Sequence, residues 1–171
     1  MSSIDKNLSI SISEIPTITN AKIGIVTAEW NHEITSSMHQ ACISELMRYG
    51  IAIEDIHSVT VPGTFELPSA AKLLLSNEKL DAVICIGCVI KGETKHDEYI
   101  SNAVANGIMQ LSVVSGKPVI FGVLTPNNME QALDRAGGKH GNKGIEAAHT
   151  ALKMIRLSQD IKNTQKHRIG Y

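Results

Sequence analysis

Apolar residues change period repeatedly along this chain, and each change marks an element. Residues 22–27, Lys-Ile-Gly-Ile-Val-Thr, make a short continuous apolar run, as expected of a strand buried on both faces. Ile34, Met38, Ala41, Cys42, Leu46 and Tyr49 then recur at helical spacing, with Asn31 available as the N-cap and Gly50 as the stop. Ile56, Val59 and Val61 mark a second strand, halted by Pro62-Gly63, and a helix is expected over 67–76. A third strand is expected over 80–90, followed by Ile100, Val104, Gly107, Ile108, Leu111 and Val114 at helical spacing. Gly116-Lys117-Pro118 reads as a turn, and 119–124 as a fourth strand. Asn128 caps a helix carrying Ala132, Leu133 and Ala136, with Gln131 placed for a capping box. The last helix is expected over 145–158.

Four strand–helix alternations predict an α/β domain with three layers, in which a four-stranded parallel sheet carries helices on both faces. The domain is expected over 21–158, between an arm at 1–20 and a polar tail at 159–171, expected to fray. In the arm, Leu8, Ile10 and Ile12 alternate with serines, which predicts a short strand. Such a strand needs a sheet edge, its own or that of a neighbouring subunit.

Composition narrows the function. The chain has 171 residues and a net charge of −1, with 4% aromatic residues. That is enough for one domain with a proper core, and it gives no basic stripe or stacking platform for nucleic acid. No apolar run reaches membrane-span length and Met1-Ser2-Ser3-Ile4-Asp5-Lys6 has no signal-peptide core, so a soluble cytoplasmic protein is expected. Three cysteines, an odd number, point to reduced thiols. Cys85-Ile86-Gly87-Cys88 matches C-x-x-C, but the pair lies inside a strand, where an odd offset sends the two side chains to opposite faces. Packing is therefore favoured over redox or zinc chemistry.

The candidate chemistry centres on residues 87–99, Gly-Cys-Val-Ile-Lys-Gly-Glu-Thr-Lys-His-Asp-Glu-Tyr, where a strand runs through a polar loop into a helix. Ligands of open α/β sheets bind just past such strand ends. Thr94 is placed as an N-cap with Asp97 completing a capping box, Gly92 permits close backbone approach, and Lys91 adds charge. The free N–H groups of the first turn suit an anion such as phosphate. His96 in that turn is either a surface residue or a proton carrier, since the positive end of a helix disfavours imidazolium and a neutral ring can take and return a proton. His96, Asp97 and Glu98 point in different directions on a helix, which argues against a metal site.

Other strand ends add to this. Trp30 follows the first strand, as a packed lid or as a flat wall for a planar ligand. Thr64-Phe65-Glu66 follows the second: Phe65 is core or stacks on a ring, and Glu66 is a dipole partner or a ligand contact. Phe121 is placed with these, so that four strand ends gather unusual residues on one edge. Arg135 sits in a helix's last turn, where a cation opposes the dipole. The glycine-rich bend at 137–144 follows a helix and so is not a dinucleotide fingerprint.

These segments carry a resemblance. Residues 61–68 (Val-Pro-Gly-Thr-Phe-Glu-Leu-Pro), 87–99, 121–125 and 130–144 closely resemble the 6,7-dimethyl-8-ribityllumazine synthase family, in order and with natural spacing over about 20–158. The resemblance implies a flavodoxin-like sandwich that condenses 5-amino-6-(D-ribitylamino)uracil with 3,4-dihydroxy-2-butanone 4-phosphate, with no redox or metal cofactor. It implies that Trp30 lies against the pyrimidine ring, that Thr64, Phe65 and Glu66 hold the ribityl chain and ring, and that Cys88, Val89 and Ile90 line the ring's edge through backbone groups. Glu93, Thr94 and Arg135 would hold the phosphate, with Lys91, Gly92 and Lys143 in support, and His96 would move protons. Phe121 and Arg135 would come from a neighbouring subunit. Two positions depart from the pattern: Lys91 replaces the common Arg and loses its fork, and Trp30 replaces the usual Phe.

The resemblance further implies homo-oligomers, either pentamers or shells of sixty subunits, with riboflavin synthase as a further partner. The compact bend at 137–144 favours the shell, while the Trp at position 30 leans weakly toward the pentamer. Three rivals compete: a catalytically idle flavin- or lumazine-binding protein, a purely structural shell, and a flavodoxin-like electron carrier. The last needs a Ser/Thr-rich loop after the first strand, and Thr27-Ala28-Glu29-Trp30-Asn31 is too poor in those residues.

Overall fold

The structure, a computed structural model, describes residues 15–168. The apolar runs form four parallel strands: β1 (Ile23–Ala28), β2 (Ile56–Val61), β3 (Ala82–Cys88) and β4 (Val119–Leu124). They lie in the order β2-β1-β3-β4, with Ile23 level with Ile56 and Ala82, and Val83 level with Val119. β1 and β3 are buried throughout, as their unbroken apolar runs require of central strands. β2 is an edge, and its Ser58, Val59 and Thr60 are exposed.

Helices α1 (His32–Arg48), α2 (Leu67–Asn77), α3 (His96–Ser115) and α5 (Lys143–Arg168) cover the sheet, with α4 (Met129–Arg135) following β4. Two separate cores result. One joins Ile23, Ile25, Ile84 and Ile86 to Ile34, Met38, Leu46 and Leu152 on the α1 and α5 side. The other joins Val26, Val83 and Cys85 to Leu67, Ala71, Val104 and Ile108 on the α2 and α3 side. This is the expected three-layer α/β/α sandwich.

The thiols fall as the strand parity requires: Cys88 belongs to the first core and Cys85 to the second. All three cysteines are buried and free. Burial pushes the thiols of Cys42 and Cys85 up to about 12 and that of Cys88 up to about 11, so each is protonated packing material.

Several boundaries differ from the sequence expectation. The last helix starts at Lys143 and runs to Arg168, so most of the tail expected to fray is helical. The glycine-rich bend contains a small antiparallel pair, β5 (Ala136–Gly138) and β6 (Gly141–Asn142). Its turn uses left-handed backbone at Gly141 (φ 80°), which only glycine adopts freely. On α3, Val104 and Ile108 are buried, but Val114 faces solvent at 85% exposure. The strand expected from Leu8 to Ile12 lies outside the described residues.

A buried polar contact was not legible from the sequence. His149 on α5 lies 2.6 Å from a Glu45 carboxylate oxygen on α1, with the Tyr49 ring edge-on at 5.6 Å. Separately, α5 begins in close contact with α1: a Cβ on Gly144 would overlap the Met38 carbonyl oxygen. No helix among the described residues is long and apolar enough to cross a membrane.

Candidate active site

At the carboxyl end of the sheet, hydrogen bonds tie the exits of the four strands to one another in pairs. The N–H of Glu29 donates to Val61 O at 2.8 Å and that of Trp30 to Pro62 O at 3.3 Å, which joins the exits of β1 and β2. The N–H groups of Val89 and Lys91 donate to Leu124 O and Pro126 O, which joins the exits of β3 and β4. The Asn31 side chain donates to Cys88 O at 2.9 Å and joins β1 to β3.

Asn31 is the N-cap residue of α1, as expected, but it caps with its backbone carbonyl alone. The side chain expected to cap crosses to β3 instead. The start of α3 also shifts by one residue: its N-cap is Lys95, and the box expected between Thr94 and Asp97 does not form. Thr94 Oγ1 accepts from His96 N at 3.4 Å, and Asp97 Oδ1 accepts from Gly92 N at 3.4 Å, so the two side chains brace the loop from within. Both bonds are long, and the loop over 91–96 is exposed.

On this rim stand two flat apolar rings that a core would normally hide. Trp30 is 73% exposed and Phe65 is 58% exposed. Neither ring is packed into the core of this chain, which counts against the packed lid for Trp30 and the core role for Phe65. His96 opens α3 at the same rim, exposed to solvent.

Thr64 and Glu66 contribute differently. The Thr64 side chain is buried against Gly87, where a Cβ would come within 2.8 Å of the Thr64 hydroxyl oxygen. Gly87 therefore exists to let the turn 64–66 settle on β3, and any ligand contact from Thr64 falls to its backbone. Glu66 Oε2 accepts from Gly63 N at 3.0 Å and closes the turn. Cys88 is buried, while Val89 and Ile90 are half-buried beside the rim.

Phe121 is not at a strand end. It is the third residue of β4, level with Cys85, and three residues short of the end at Leu124. At about 3.3 Å per residue it sits roughly 10 Å below the rim. The expected gathering of four strand ends is thus three ends from one chain.

Arg135 also lies elsewhere. Its guanidinium reaches Glu146 Oε1 at 2.8 Å and donates to His140 O at 2.7 Å. Lys143 reaches the other oxygen, Glu146 Oε2, at 3.0 Å. Glu146 escaped the sequence reading, although its i,i+3 spacing from Lys143 was there to find. Two cations on one carboxylate leave a net positive charge at the start of α5, held in a fixed direction. Among the described residues, no hydrogen bond or ion pair joins Phe121, Arg135 or Lys143 to the 91–96 loop, and no group of three His, Cys, Asp or Glu side chains could hold a metal.

Comparison with known proteins gives this geometry its context. Residues 20–159 match the family model described as 6,7-dimethyl-8-ribityllumazine synthase. A protein of that name from Cytophaga hutchinsonii is 55% identical over 155 residues, 91% of this chain and 98% of the relative. One from Porphyromonas gingivalis is 50% identical over 145 residues, 85% of this chain and 90% of the relative. Another, from Flavobacterium johnsoniae, is 45% identical over 160 residues, 93% of this chain and 84% of the relative. With the family model covering most of the chain and relatives of that name 45–55% identical over most of their length, the chain belongs to the 6,7-dimethyl-8-ribityllumazine synthase family.

Proposed function

We propose that this chain catalyses the condensation of 5-amino-6-(D-ribitylamino)uracil with 3,4-dihydroxy-2-butanone 4-phosphate to 6,7-dimethyl-8-ribityllumazine, with release of phosphate and water, the penultimate step of riboflavin biosynthesis. The observation that carries this is the rim itself: Trp30 and Phe65 exposed beside the loop that leads to His96. It supplies a flat apolar surface for a heterocycle next to a group that transfers protons.

The uracil substrate lies with its ring on Trp30 and Phe65, and the backbone of Cys88, Val89 and Ile90 reads its polar edge. The ribityl chain runs toward the 64–66 turn. The phosphate of the second substrate sits over Gly92, Glu93 and Thr94 at the N-terminal end of α3, where the free N–H groups and helix dipole favour an anion. Lys91 adds charge beside it. Arg135 and Lys143 of a second copy complete the cation set, and Phe121 of that copy closes over the ring. This placement is supported by the one-chain geometry, in which these three residues lie away from the rim while Arg135 and Lys143 are already aimed by Glu146.

In the reaction the amine nitrogen attacks the ketone carbon, and loss of water gives an imine. Phosphate then leaves, and the second nitrogen closes the ring with loss of water. Each step moves protons, and His96 accepts and returns them. The departing phosphate is stabilised by the α3 turn and the cations. Much of the acceleration comes from holding two substrates side by side, which alone is worth several powers of ten.

The test is to mix both substrates with pure protein and follow the fluorescent lumazine and free phosphate together. Both are expected to appear in equal amounts, and His96→Ala is expected to lower kcat by roughly 100-fold, within the usual range for a general acid–base, without abolishing turnover. Ligand binding without phosphate release identifies an idle binding protein instead. An unchanged rate in His96→Ala removes that residue from the mechanism.

The protein works as a homo-oligomer, with each site shared between subunits, and the compact bend at 137–144 favours the sixty-subunit shell. It acts in the cytoplasm, with riboflavin synthase as the enzyme that receives its product. Sedimentation decides the assembly: a shell is expected, and a single pentamer of this 18.5 kDa chain, near one hundred kilodaltons, refutes it.

A further inference from the structure

We propose that Asn31 is a positioning residue of this site: its side-chain amide, donated to the Cys88 carbonyl, sets the Trp30 indole against the backbone that follows β3. The inference rests on the reading of the rim as the seat of the uracil ring and extends it to a residue that need not touch the ligand.

Three observations carry it. First, Asn31 holds left-handed backbone, φ 57° and ψ 46°, a conformation that costs a side-chain-bearing residue about 1 kcal/mol and that asparagine tolerates better than most. A glycine would fill the same backbone role at less cost, so the side chain needs another reason. Second, the amide does not cap the helix it begins. The first turn of α1 is satisfied by the Asn31 carbonyl, which accepts from Ile34 N at 2.9 Å and Thr35 N at 3.1 Å. The side chain is thereby free to cross to a residue 57 positions away.

Third, that crossing supplies a link the sheet lacks. Pairing of β1 with β3 ends at Thr27 and Ile86, and beyond it the two exit loops have only the Asn31–Cys88 bond between them among the described residues. Trp30 is 73% exposed, so no core packing fixes it. Its backbone is held on one side by Pro62 O, and on the other by its neighbour's reach to Cys88 O. The segment over 88–91 is held in turn from the β4 side through Val89 N and Lys91 N. Asn31 therefore fixes the gap between the stacking surface and the backbone groups that read the ring's edge.

The experiment compares the wild type with Asn31→Gly, which keeps the left-handed backbone and removes the amide, and with Asn31→Asp, which keeps the shape but cannot donate. In the assembled protein, both variants are expected to raise KM for the uracil substrate about tenfold, the usual worth of one such bond. KM for the phosphorylated substrate should stay within twofold. Trp30 is the only tryptophan, so quenching of its emission by the lumazine product should titrate at about tenfold higher concentration. The inference is overturned if the uracil KM and the quenching titration match wild type. It is equally overturned if both KM values rise together in step with a fall in Tm, which marks a merely structural bond. A wild type that makes no lumazine sinks the underlying reading instead, and the two failures are told apart.

Discussion

Replacing Gly144 by alanine is expected to cost about 3 kcal/mol of stability, the upper end of the range for forcing extra atoms into a packed site. The added methyl would overlap the Met38 carbonyl oxygen and sit 2.7 Å from its carbon. Both are backbone atoms of α1, so no side chain can swing aside. Nor can α5 back away freely, because Gly144 N donates to Asn142 Oδ1 at 2.8 Å and the Glu45–His149 contact holds the helices together one turn further on. Gly116→Ala is the control. Gly116 has φ 62° but nothing within 4 Å of a new Cβ, so only the backbone term of about 1 kcal/mol applies. Urea unfolding midpoints measure both. Equal losses in the two variants would show that contact between α1 and α5 is not what Gly144 serves.

The second large effect concerns binding. Arg135→Ala is expected to raise KM for 3,4-dihydroxy-2-butanone 4-phosphate by roughly 10- to 100-fold, as for loss of a charge-assisted contact, with a smaller change in kcat. Arg135→Lys should recover part of the loss, since it restores charge but not the fork. Steady-state rates at saturating uracil substrate read the result. The Glu146 carboxylate keeps Lys143 as a partner in both variants, so the local fold should survive. An unchanged KM in Arg135→Ala would remove this cation from phosphate binding and leave it as a partner of Glu146 alone.

The fold was readable because its signals are local. An apolar run such as 82–88, short and bounded by turn signals, suits a strand covered on both faces, and the helical spacing of Ile34, Met38, Cys42 and Leu46 fixes which face of α1 turns inward. Within the candidate site, Trp30 and Phe65 could be placed because each lies within four residues of a strand end visible in the pattern, and His96 because it opens the helix that the change of period announces. What escaped depends on contacts across the sequence. The Asn31 amide had two partners within reach, its own helix and a carbonyl far along the chain, and only the fold decides between them. The polar residues of 159–168 look like a fraying tail because they lie beyond the regular apolar stripe, whereas the α5 backbone continues to Arg168. Phe121 was misplaced because the apolar run 119–124 does not say which of its residues stands at the rim; the register with β3 does.

The way the sulfur is stored has a practical meaning. With Cys42 and Cys88 in one core, Cys85 in the other, and burial holding all three as thiols, ageing in air has no exposed thiolate to attack. A cysteine engineered onto the surface would then be the sole fast-reacting handle, so a dye or cargo could be attached at one chosen point per chain without first stripping the natural residues.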